Sequence, residues 1–87
     1  MTTKSPSAVH PAPEKSLERI AYTSVASVPT DEPHDQDRLG YNIWRWLVDR
    51  RDSLESAVKT AGARLLIDEE EAVHRIRESL TKQGVTL

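Results

Sequence analysis

The residues best equipped for chemistry in this 87-residue chain lie between Arg38 and Arg64, and they are suited to binding. Arg38, Tyr41, Asn42, Arg45, Arg50, Arg51, Lys59 and Arg64 place guanidinium and ammonium groups, a phenol and an amide in one short stretch. Cations neutralise phosphates, a guanidinium can pair bidentately with guanine N7 and O6, and an asparagine amide can pair with adenine. The plainer account of the same residues is a solvated helix face with i,i+4 pairs such as Arg45 to Asp49. Trp44 and Trp46 invite stacking beside Arg45, but Trp46 is expected in the core and Trp44 on the outer side, where it could cover a partner surface.

Other chemistries find little support. Cysteine is absent, which removes disulfides, thiolate zinc sites and thiol nucleophiles together. His10, His34 and His74 are far apart, with no second ligand at metal spacing. Asp68 to Glu71 is explained as a helix start, where anions meet unpaired N–H groups and the positive end of the helix dipole. No glycine-rich phosphate loop, nucleophile elbow or paired-carboxylate signature is present. The expectation is a non-enzyme with no cofactor and no metal.

The formal charge of −2 conceals a pattern. From Arg38 to Arg64 six cations face three anions, Asp49, Asp52 and Glu55. Asp31, Glu32, Asp35 and Asp37 precede this block and Asp68, Glu69, Glu70 and Glu71 follow it, so a basic segment is bracketed by two acidic ones. The apolar run Leu65–Ile67 is far too short to cross a membrane, and the N-terminus lacks the apolar centre of a signal peptide. A cytoplasmic protein with no membrane partner is expected.

Several elements must position these residues. All five prolines lie in the first 33 residues among Ser and Thr, a composition that predicts a disordered arm through about residue 15, extended to residue 19 as a domain boundary. Leu17, Ile20, Val25 and Val28 could supply a short helix, with Thr23 as a possible N-cap. Leu39, Ile43, Trp46 and Leu47 define one face of a helix over Arg38–Asp52, whose opposite face carries Arg38, Tyr41, Arg45 and Val48. Asp68 and Glu71 read as a capping box for a last helix with Val73, Ile76 and Leu80 buried, ending near Lys82 and Gly84. Residues 84–87 are expected to be flexible.

The segment between these helices reads in two ways. Asp52 and Glu55 could cap a helix over Ser53–Ala61, with Leu54, Ala57, Val58 and Ala61 buried and Gly62 as the stop. Alternatively, Ala57–Ala61 and Arg64–Ile67 could be strands of a hairpin turning at Gly62 and Ala63. Two strings favour the hairpin: Arg45-Trp46-Leu47-Val48, and Gly62-Ala63-Arg64-Leu65-Leu66-Ile67-Asp68-Glu69-Glu70. Over about Tyr22 to Leu80 they resemble the excisionase-like winged helix-turn-helix proteins of phages and mobile elements. Ala63 stands where that family often has a basic wing-tip residue.

That resemblance implies a mostly α fold with a small β-hairpin wing, a winged helix-turn-helix domain over residues 20–83. It further implies that the helix around Arg45 enters the major groove, with Arg45, Tyr41 and Asn42 at base edges or phosphate. Arg38, Arg50 and Arg51 would hold phosphates, and Lys59 and Arg64 would lie on the wing near phosphate or the minor groove. The implied role is sequence-specific binding to double-stranded DNA as an excisionase or small transcriptional regulator. Such a protein would self-associate along repeated sites, with an integrase as a possible partner. The competing expectation is a helical protein-protein interaction module that dimerises or docks on a larger complex. There Arg38–Ala61 would be one long helix with a coiled-coil-like seam, at the cost of placing Arg51 in that seam.

Overall fold

The computed structural model describes residues 14–87, with side chains from residue 16 onward. The first part of the expected disordered arm lies outside the described residues. The chain forms four helices in order: α1 (Glu14–Ser24), α2 (Pro33–Asp49), α3 (Leu54–Thr60) and α4 (Glu69–Lys82). The arm boundary at residue 19 is therefore corrected, since residues 14–19 are already helical. Thr23 lies inside α1 and is not a cap, while Val25 and Val28 bury themselves in the turn that follows.

Helix α2 begins earlier than its apolar stripe suggests. Pro33 occupies the first turn, where its fixed φ is pre-set for a helix and its missing N–H costs nothing. The Asp35 carboxylate accepts the Glu32 N–H at 3.2 Å, satisfying a donor at the helix start. Leu39, Ile43 and Leu47 then recur at four-residue steps and are buried, while Arg38, Tyr41 and Arg45 face out. The helix stops at Arg50, which takes the left-handed conformation (φ 55°, ψ 34°) and donates its N–H to the Trp46 carbonyl at 2.6 Å.

Helix α3 settles the ambiguous segment and overturns the wing. Ser53 is the N-cap, its Oγ accepting the Ser56 N–H at 3.1 Å, and Leu54, Ala57 and Val58 are buried on one side. Those three positions lie at i, i+3 and i+4, a spacing that only a helix places on one face. As strand residues they would split between the two sides of a sheet. The other half of the expected hairpin, Arg64–Ile67, is no strand either: only Leu65 pairs, in an isolated antiparallel bridge with Thr30, and the chain bends at Leu66 and Ile67. Asp31 N–H donates to Arg64 O at 2.9 Å and Leu66 N–H to Pro29 O at 3.0 Å. Among the described residues there is no strand, so the fold is all-helical and the winged helix-turn-helix assignment is withdrawn. The continuous helix Arg38–Ala61 also fails, being interrupted between α2 and α3.

Helix α4 follows its apolar pattern, but the expected Asp68–Glu71 capping box does not form. Asp68 is the N-cap residue, although its side chain makes no capping hydrogen bond, and Glu69, Glu70 and Glu71 fill the first turn. At the other end Gly84 (φ 90°) closes a Schellman motif, with Val85 N–H donating to Leu80 O at 2.9 Å and Gly84 N–H to Thr81 O at 3.0 Å. Helices α1 and α3 each pack against both α2 and α4. One core results, with Leu39, Ile43, Ile76 and Leu80 as its largest fully buried side chains. Each contributes about 1.5–3 kcal/mol relative to exposure. No helix among the described residues is long and apolar enough to cross a membrane.

Candidate nucleic-acid interface

The outer side of α2, the turn after it and the exposed flank of α3 carry most of the expected binding residues. Asn42 and Arg45 of α2, Arg51 and Asp52 of the turn, and Ser56 and Thr60 of α3 line one cleft floored by Trp46. Arg38 stands seven residues before Arg45, nearly the same angular position two turns back. Lys59 is exposed on α3 beside Thr60.

These residues are not equally available. Asn42 is spent on structure: its Nδ2 donates to Ala57 O at 2.6 Å and to Thr60 Oγ1 at 3.0 Å, joining α2 to α3. Arg45 pairs with Asp49 one turn on, Nη2 to Oδ2 at 3.8 Å, with both side chains about half exposed. Such a pair contributes roughly 0–1 kcal/mol and is readily exchanged for another anion. Tyr41 is 52% exposed and meets Trp44 edge-on, with ring centroids 5.8 Å apart. Arg38, Arg51 and Lys59 are exposed and have no carboxylate within ion-pair distance among the described residues.

Two expected site residues lie elsewhere. Arg50 turns to the far side of the α2–α3 turn, where its guanidinium sits 4.9 Å from the Trp46 ring centroid and donates to Thr86 O at 3.0 Å. Arg64 belongs to the bridge with the 29–31 segment and pairs with Asp31 at 3.7 Å. Its expected place on a wing disappears with the wing.

Two acids, Asp49 and Asp52, line the cleft, and of these Asp49 is paired with Arg45. Glu55 lies with Arg50 and Arg77 at the other cleft of the turn. Glu55 accepts from Arg77 Nη2 at 3.0 Å. Hydrogen bonding from its own backbone N–H, and then from Arg77, holds its carboxyl below the ordinary carboxylate range. Asp52 contributes its backbone carbonyl, which accepts the Trp46 Nε1–H at 2.6 Å and pins the turn.

The tryptophans differ from expectation. Both are half-buried against the core; Trp46 is less central than expected, and Trp44 is more covered, with its Nε1 shielded and unpartnered. The hydroxyls of Ser56 and Thr60 were not singled out from the sequence. Ser53 as the cap would have set the phase of α3 and placed them toward α2. Comparison with family models, with curated proteins and with solved structures yields no match to this chain.

Proposed function

We propose that this chain binds double-stranded DNA through the α2–α3 face, chiefly by phosphate contacts from Arg38, Arg51 and Lys59. The observation that supports this reading is that Arg38, Arg51 and Lys59 are exposed with no ion-pair partner among the described residues. Arg51 lines the cleft beside the replaceable Arg45–Asp49 pair and Asp52, Arg38 stands two turns back on α2, and Lys59 is next to Thr60 on α3. Unpaired surface cations lose little when they meet phosphate, because no existing ion pair has to be broken. Engagement of Asn42 inside the fold removes one of the three groups expected at base edges, which leaves Arg45, with Tyr41 one turn before it, as the candidate for sequence preference. The excisionase-like role, with an integrase as partner, loses its structural basis with the wing.

Binding of a fluorescein-labelled duplex, followed by anisotropy between 50 and 200 mM salt, tests the proposal. Three neutralised phosphates give a log–log slope of roughly −2.7, and removal of one cation lowers its magnitude by about 0.9. Arg38→Ala, Arg51→Ala and Lys59→Ala are each expected to do so. Absence of binding at 50 mM salt, or a slope indifferent to all three substitutions, rejects the reading. A second reading, a helical module that docks on another protein or on itself, draws on the exposed Tyr41 beside Trp44. Light scattering across protein concentration, with Tyr41→Ala as the comparison, tests self-association.

A further inference from the structure

We propose that residues 84–87 act as a strap that holds the α2–α3 turn in its observed shape through Arg50. Arg50 is the only non-glycine residue at positive φ among the described residues, a conformation that side chains other than glycine rarely adopt. Residues in such a conformation persist when their surroundings over-determine them. Here the guanidinium is stacked on Trp46 at 4.9 Å and donates to Thr86 O at 3.0 Å. The same Trp46 ring reaches across the turn, its Nε1 donating to Asp52 O at 2.6 Å. One indole therefore supports the arginine that holds the strap and also pins the turn.

The path of the strap is itself built. Gly84 at φ 90° turns the chain back from α4, Val85 packs against the core, and Leu87 lines a cleft with Trp46 and Leu54. Helix α3 has seven residues, too few to be stable without its packing and its incoming turn. Order in α3 and seating of residues 84–87 are thus linked: whatever draws the strap away loosens α3, and whatever braces α3 favours the seated strap. This coupling holds whether the α2–α3 face takes DNA or another partner.

Amide hydrogen exchange of α3, read at Ala57, Val58 and Lys59, tests the strap. Deletion of residues 86–87 is expected to speed that exchange about tenfold, the scale of a lost charge-assisted hydrogen bond. Gly84→Val, which keeps the chain's length and charge but disfavours the positive φ, is expected to give the same signature. In an Arg50→Met background, where the contact to Thr86 is already lost, the deletion is expected to add less than about twofold, from the packing of Leu87 alone. Independent, multiplying effects of Arg50→Met and the deletion would overturn the proposal. So would unchanged α3 exchange in both strap variants.

Discussion

The Tyr22 ring of α1 lies directly over Gly40 of α2, and substitution of the glycine gives a sharp test of the packing. A Cβ built on Gly40 would lie 2.5 Å from Tyr22 Cε1 and 3.1 Å from Tyr22 Cγ, against an optimum near 3.5–4.0 Å. The tyrosine ring would have to retreat by about 1 Å, and overpacking of this kind costs about 1–3 kcal/mol. Gly40 also sits inside α2, where alanine is favoured over glycine by about 1 kcal/mol. Gly40→Ala is therefore expected to destabilise the chain by about 0–2 kcal/mol in the wild-type background. With Tyr22→Ala already in place the clash is gone, and the same substitution is expected to stabilise by about 1 kcal/mol. Urea unfolding followed by circular dichroism, run as a double-mutant cycle, measures the coupling of about 1–3 kcal/mol between the two positions. An equal stabilisation by Gly40→Ala in both backgrounds would refute the close approach of α1 and α2 at this point.

Three further outcomes are expected. Ser53→Ala removes the cap of α3 and should cost about 1 kcal/mol, lowering the melting temperature by about 4–8 °C; Asp52→Ala should stay within about 0.5 kcal/mol, because only the Asp52 backbone carbonyl is used. Burial, and then Asp37, raises the Tyr22 phenol above its reference value of 10.0, so its contribution is complete below pH 10.0 and is lost as pH rises through the folded value. Alkaline unfolding should begin later in Tyr22→Phe than in the wild type, with the phenolate absorbance of Tyr22 as the direct readout. The Glu55 carboxyl is lowered, so its contribution is present above the ordinary carboxylate range and is lost as pH falls through the folded value. Arg77→Ala should accordingly narrow the stability difference between neutral and acidic pH, measured by denaturant titration at each.

Much of the helical framework was legible in the sequence. Leu39, Ile43 and Leu47 mark α2, and Val73, Ile76 and Leu80 mark α4, because apolar side chains three and four residues apart share a face whatever surrounds the helix. The start of α2 was less legible, since Pro33 and Asp35 act through a turn that carries no apolar stripe. Of the candidate site, the outward place of Arg38 follows from its phase on α2, whereas Arg51 lies in the turn after that helix and Lys59 on α3 in place of the expected wing. The engagement of Asn42, Arg50 and Arg64 does not follow from phase, because their partners lie 15 or more residues away in sequence.

The sequence by itself determined the buried stripe of α2 though not its ends, the place of α4, the bracketing of a basic block by acids, and the stop of α4 before Gly84. It left open the segment 57–67, where local propensity allows both a helix and a hairpin. Tertiary structure decided for the helix, because Leu54, Ala57 and Val58 bury together against α2 and α4 only in that form, and because Pro29–Asp31 supplies the extended partner that Arg64–Leu66 needs. It also decided which cations of the basic block are engaged, Arg50 at Thr86 and Arg64 at Asp31. Periodicity is a property of one element and can be read along the chain; an ion pair or a bridge depends on how distant elements meet, and only the packed fold fixes that.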